Sequence, residues 1–278
     1  MSRAYLAPGQ GGAPRSPSVG EWETLSPEQR AEIVASLPEH EVERSFTPDG
    51  TLHWTGQVAA WDTLRRYFDH SGRKVFLAAN LAVYYPAEPS FAPDLLAVVD
   101  VEPAHRSKWV VLAEGRGIDW VLELHAQGDR RKDLVRNVAW YAQLGIPEYF
   151  LYDRGQGLLQ GWHLLAATAR RYERIVPQAG RLSSKLLGLE LVVEGDRLRF
   201  YQGTAQLLEG PELTLRLEQL LAEQAQRVDD EARRAEEEAR RAEELERLLL
   251  AEQRSRAEAE QARAELQAEL ERRRNGKG

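Results

Sequence analysis

IDWVLELHAQGDRRKDLVRNVAWYAQLGIPEYFLYD, residues 118–153, is the stretch whose reading decides the architecture. Its first eight residues alternate. Trp120, Leu122 and Leu124 fall on one side, and Val121, Glu123 and His125 on the other, the two-residue period of a strand. Over 130–144 the period becomes helical, with Leu134, Val138 and Tyr141 on one stripe. Gly145 suits the left-handed residue that follows a helix, and Pro147 bars continuation. EYFLYD (148–153) reads as a buried strand. Strand–helix–strand over this length predicts a right-handed crossover joining parallel neighbours, hence an α/β chain. The stretch also poses a chemical question. Glu123 and His125 lie on an otherwise apolar strand, either as paired structural polars or as half of a site acting on a phosphodiester.

Upstream, KVFLAANLAVYY (74–85) is rich in β-branched and aromatic residues and predicts a strand bent near Asn80. PDLLAVVDV (93–101) predicts another, opened by Pro93. Ser26, Pro27 and Gln29 form a capping box with proline at the first helical position, so a helix runs from there to about Leu37 and stops before Pro38. A turn is expected at Thr47-Pro48-Asp49-Gly50. A second helix follows over about 52–70, on the spacing of Val58, Trp61, Leu64, Arg65 and Phe68. Downstream, residues 158–201 predict further short strands, with a hairpin turn at Glu194-Gly195-Asp196.

Composition sets limits. The 278 residues are 42% hydrophobic, enough for one sizeable core and an appendage. The chain has no cysteine, which excludes disulfides and thiolate metal sites. No apolar run is long enough to span a membrane, and residues 1–20, rich in Gly, Pro and Ser, read as a disordered arm rather than a secretory signal. A cytoplasmic location is the default expectation. Of the net charge of −7, residues 212–278 carry −4 (14 Lys/Arg against 18 Asp/Glu) and the remainder −3. Neither part has the basic balance of a dedicated nucleic-acid binder. An enzyme that grips phosphates locally, through a metal and a few arginines, is compatible with that balance.

From about 212 the composition turns to Ala, Glu, Arg and Leu. Leu221, Ala225, Val228, Ala232, Ala235, Ala239 and Ala242 alternate by four and three, a heptad seam with charged flanks. Leu245 and Leu249 continue it in a shifted phase, as at a stutter, and beyond Glu252 the seam is mostly alanine. A self-associating coiled coil over 212–274 is expected. The alternative is a long solvated helix held by i,i+4 Glu–Arg pairs.

Three features can meet at one place. Asp94 opens a strand, Glu123 and His125 share one face of another, and Asp133, Asn137 and Tyr141 recur at i, i+4, i+8 on the following helix. If the two strands are neighbours, Asp94 and Glu123 converge into an oxygen-rich site suited to Mg²⁺. Such an ion can polarise a phosphoryl oxygen and acidify bound water, and His125 is placed to orient or deprotonate that water or to stabilise developing charge. The bland readings are a turn aspartate for Asp94, a solvated strand-edge pair for Glu123 and His125, and a helix-dipole carboxylate for Asp133. For Glu123, burial on an apolar strand demands pairing, metal binding or a raised pKa.

These residues carry a family resemblance. GDRRKDLVRNVAWYAQLGIPEYFLYD (128–153), preceded by APDLLAVVD (92–100) and VLELH (121–125), resembles the Uma-type putative restriction endonuclease family of the PD-(D/E)XK nuclease superfamily. The block YAQLGIPEYFLYD is the most specific part, and the likeness spans roughly residues 22–205. It implies a mixed sheet of four or more strands flanked by helices (a restriction-endonuclease-like domain over 21–210) and metal-dependent phosphodiester hydrolysis. By the same resemblance Asp94 and Glu123 are the first and second motif acids. His125 stands where a lysine is usual. The alternative lysine position, four before Tyr141, is Asn137, and a frequent serine is Ala126. Glu32 is the candidate for an upstream acid.

The expected protein is therefore a Mg²⁺-dependent (or Mn²⁺-dependent) DNA endonuclease-like hydrolase. Asp94 and Glu123 hold metal, His125 assists, Arg131 and Lys132 contact phosphate, and the coiled coil makes a dimer. The alternative is a catalytically weak or inactive nuclease-fold module recruited through its coiled coil.

Overall fold

The computed structural model describes residues 14–39, 50–125 and 132–275. The chain divides into two units, residues 1–212 and 213–278. The first is a mixed α/β domain.

Short helices α1 (Val19–Glu23) and α2 (Pro27–Ser36) each begin with a serine capping box, Ser18 with Glu21 and Ser26 with Gln29. Of the arm expected over 1–20, only residues 14–20 are described, and Val19 and Gly20 already belong to α1. Arg15 and Ser16 form bridges to Pro89 and Pro86, and Ser16 is buried. The turn expected at 47–50 lies, up to Asp49, outside the described residues. Gly50 begins α3 (Gly50–Ser71), the helix expected over 52–70.

The main sheet has six strands, in the order β1 (Val75–Ala79), β3 (Leu95–Val99), β5 (Trp120–His125), β6 (Glu148–Asp153), β7 (Leu158–His163) and β8 (Glu173–Arg174). β5 and β6 run parallel, as the strand–helix–strand reading requires, and the other pairs are antiparallel. The strand expected over 74–85 is two strands in different sheets. At Asn80 the backbone turns left-handed (φ 52°), a conformation asparagine tolerates. Its N–H bonds the carbonyls of Pro93 and Asp94, at 3.0 and 3.3 Å. The chain then leaves the sheet, and β2 (Ala82–Tyr84) pairs in parallel with β4 (Lys108–Val110), which leads into α4 (Val111–Glu114). The helix expected over 130–144 is also divided. Residues 126–131 lie outside the described residues, Lys132–Asn137 form a π-helical segment, and α5 spans Val138–Leu144. Gly145 ends α5 in the left-handed region (φ 78°), as its position predicts. Residues 158–201 hold more than one sheet. β9 (Leu182–Ser184), β10 (Leu189–Glu194), β11 (Arg197–Gln202) and β12 (Ala205–Gln206) form a second, antiparallel one, whose β10–β11 hairpin turns at Gly195-Asp196.

The alternation of β5 settles which layer covers which face. Trp120, Leu122 and Leu124 pack with Ala60, Leu64 and Phe68 of α3 and with Leu189, Leu191 and Phe200 of the second sheet. Val121 faces the other way, with Leu96, Val98, Tyr149 and Leu151, against Tyr141 and Ala142 of α5. Each face removes its apolar residues from water, the main force holding such layers together.

The second unit is almost all of α6 (Gly210–Asn275), a 66-residue helix. Leu221, Val228, Leu245 and Leu249 along it are exposed within one chain. No helix among the described residues is long and apolar enough to cross a membrane.

Candidate active site

Asp94 stands immediately before β3. The β3–β5 register pairs Leu95 with Leu122, and one step further Asp94 faces Glu123. Directly opposed residues on antiparallel strands project from the same face, so the two acids meet. Both are buried, 3% and 8% exposed. Asp94 Oδ2 accepts from the N–H of Leu124 at 2.7 Å, and Glu123 Oε2 accepts from the N–H of Asp94 at 3.3 Å. Each carboxylate therefore bonds the backbone of the other's strand.

Two helices complete the setting. From α3, His53 Nε2 lies 3.3 Å from Asp94 Oδ1, and Gln57 Nε2 donates to the Asp94 carbonyl at 2.6 Å. From α5, the Tyr141 hydroxyl donates to Glu123 Oε1 at 2.7 Å. Burial, and next the Glu123 charge, hold the Tyr141 phenol well above its ordinary pKa, so it stays a donor. Asn137, the last residue of the π-helical segment, is buried. His125 is half-buried at the end of β5, on the Glu123 side, and its carbonyl accepts from the N–H of Arg154 at 2.9 Å. Its register partner on β6 is Asp153, which is buried and whose Oδ1 accepts from the N–H of Gln156.

The structure thus brings Asp94, Glu123 and Tyr141 into one hydrogen-bonded cluster, with His125 two residues along the same strand face. Arg131 and Ala126 lie outside the described residues. Lys132 opens the π-helical segment, and Arg136, on the same segment, is exposed. Glu32 is exposed on α2, and the side chain that reaches Asp94 from a helix is that of His53. Sequence reasoning missed His53 and Gln57, although a signal was present. They stand at i and i+4, just ahead of Ala60 and Leu64 on the buried stripe of α3, where two polar residues need partners.

Among the described residues, no cluster of three His, Cys, Asp or Glu side chains is arranged to hold a metal ion. An all-protein cage is therefore not formed by them. The Asp94–Glu123 pair does fit a hard divalent cation that keeps several waters and takes its remaining oxygens from substrate, which is how Mg²⁺ commonly binds. A shallow groove of about 750 Å³, lined in part by Trp22, Arg30, Val34 and Lys108, shares no residue with this cluster.

A family profile described as "Uma2: Putative restriction endonuclease" matches residues 21–194, well over half of the chain. Among solved structures, a putative nuclease belonging to DUF820 from Anabaena variabilis ATCC 29413 is similar at 13% identity and a TM-score of 0.40, over 52% of this chain and 79% of that one. No curated protein gives a significant match.

Proposed function

The chain belongs to the Uma2 family, a nuclease-type family, and from that membership we propose that it is a metal-dependent endonuclease-like hydrolase of DNA phosphodiesters. The observation that carries the reading is the meeting of Asp94 and Glu123, 29 residues apart in sequence, on one face of the sheet. These two side chains would hold Mg²⁺, or Mn²⁺ in its place. A divalent ion bound there supplies Lewis-acid polarisation of a phosphoryl oxygen and a more acidic water. The protein's own contribution is to fix the acids. Leu124 N–H and His53 orient the Asp94 carboxylate, and Tyr141 and Asp94 N–H orient that of Glu123. Orientation set in advance spares the reaction a reorganisation cost. His125, at the rim of the cluster, would take a proton from the attacking water or stabilise charge on the phosphorane.

A second reading is favoured by one feature. Neither position 125 nor 137 holds the lysine that the resemblance leads one to expect. On that reading the domain binds metal but turns over poorly, and serves as an interaction module.

Incubation of supercoiled plasmid with Mg²⁺ or Mn²⁺ separates the two. Nicking or linearisation, lost in Asp94→Ala and Glu123→Ala, supports the hydrolase. A metal-dependent rise in melting temperature, lost in the same variants, without cleavage supports the module. Identical behaviour of wild type and Glu123→Ala in both assays overturns both. For α6 we propose self-association into a coiled-coil dimer, supported by its heptad spacing and its exposed leucines.

A further inference from the structure

A site that grips a polyanion needs a cation beside its acids, and the expected lysine positions hold His125 and Asn137. We infer that Arg154 supplies that cation and contacts a backbone phosphate of the nucleic acid; the inference rests on the nuclease reading above.

Arg154 follows β6 directly, and its N–H donates to the carbonyl of His125. Its backbone is thereby tied to the end of the strand that carries Glu123. Its side chain turns to α3. Nη1 lies 3.5 Å from where a Cβ on Gly56 would stand. Gly56 sits between His53 and Gln57, the two α3 residues that touch Asp94. The guanidinium therefore lies within one helical turn of the side chains that hold the first acid.

One carboxylate partner of Arg154 is also suited to exchange. Nη2 bonds Asp196 Oδ2 at 3.0 Å, but the Asp196 side chain is 75% exposed at the tip of the β10–β11 hairpin. The Arg154 side chain is 20% exposed, but the aspartate end is open to water and screened by salt, so a phosphate can compete there for the guanidinium. A planar guanidinium also suits two phosphate oxygens better than an ammonium would. The sequence did not single out Arg154, because it lies 29 residues beyond His125 in the chain. Only the parallel β5–β6 pairing makes them neighbours.

The test is fluorescence anisotropy of a labelled DNA duplex with the full-length chain, with Ca²⁺ in place of Mg²⁺, titrated between about 50 and about 200 mM KCl. Arg154→Ala is expected to weaken binding about tenfold and to reduce the slope of log K against log[salt] by about one. Arg154→Lys should keep that slope, and Asp196→Asn should bind no more weakly than wild type. If Arg154 merely latches the hairpin, Arg154→Ala and Asp196→Asn weaken binding alike, which overturns the inference. An unchanged salt slope in Arg154→Ala, with wild type binding DNA, overturns it while leaving the nuclease reading intact. A wild type that neither binds nor cleaves DNA removes both. Arg154→Lys retains the charge and so controls for misfolding of the alanine variant.

Discussion

Asp94 and Glu123 are hydrogen-bonded to one another's strands: the aspartate side chain accepts from Leu124 N–H, and the glutamate side chain accepts from Asp94 N–H. Such a reciprocal pair does two jobs at once. It stitches the start of β3 to the end of β5, and it aims both carboxylates from one face. Replacing either acid by its amide keeps a carbonyl oxygen to accept the backbone bond and removes the charge. Asp94→Asn and Glu123→Gln should therefore lose cleavage by more than about 100-fold. Their melting temperatures should stay within about 4 °C of wild type by calorimetry. Unfolding of both amide variants would show that the charges serve the fold first.

Tyr141→Phe removes the hydroxyl that holds Glu123 Oε1 and leaves the ring among its aromatic neighbours Phe91, Trp140 and Tyr149. A buried hydrogen bond to a carboxylate is lost, so stability should fall by about 1.5–3 kcal/mol in urea denaturation. Any cleavage should fall by about 10- to 100-fold, the usual range for a residue that orients a metal-binding group.

Glu148 ties the two sheets together. It is buried, and its carboxylate accepts from Ser184 Oγ at 2.5 Å and from Lys185 and Leu186 N–H at 2.9 and 3.3 Å. Burial outweighs these bonds and raises its pKa above the ordinary 4.5. The sign follows from linkage. The folded state holds the proton more tightly than the unfolded state. This group's contribution is therefore full below pH 4.5 and is lost as pH rises through the raised value. Glu148→Gln, which can accept from Lys185 N–H and donate to Ser184 Oγ, should flatten the stability–pH profile above pH 4.5. Superimposable wild-type and variant profiles would refute this.

Gly161 on β7 faces Phe150 across the β6–β7 pair. A Cβ there would stand 2.9 Å from the Phe150 ring and 3.1 Å from Ile175. The ring is fully buried between layers and has little room to yield. Gly161→Ala should cost about 1–3 kcal/mol by overpacking. Gly20→Ala, where nothing lies within 4 Å, is the matched control.

Removal of residues 213–278 should convert a dimer to a monomer in light scattering if α6 pairs through its heptads. The long solvated helix held by Glu–Arg pairs predicts the same monomeric state before and after removal. A point variant that puts aspartate at Leu221 or Leu249 should give an intermediate result.

Much of the fold was written in local patterns. The two-residue alternation of Trp120–His125, the helical stripe through Val138 and Tyr141, the capping box at Ser26 and Gln29, and the left-handed Gly145 each follow from the chemistry of a few adjacent residues. The parallel pairing of β5 and β6 followed from one intervening helix. The break at Asn80 was visible as a bend, but not as a change of sheet. That change depends on bonds to Pro93 and Asp94, 13 and 14 residues away. The π-helical segment at 132–137 left no trace in the apolar spacing, because a single widened turn changes little in a short stripe.

By itself, then, the sequence determined the two candidate acids, the elements that carry them and the heptad spacing of the tail, because strand alternation and helix periodicity are properties of near neighbours. Only the tertiary structure decided that Asp94 faces Glu123, that His53 rather than Glu32 stands beside the first acid, and that Arg154 lies next to His125. Each of these depends on strand register or helix docking between residues 29 to 41 positions apart. Such contacts form because burying the two faces of the sheet outweighs the entropy of closing those loops, a balance that no local stretch of the chain records.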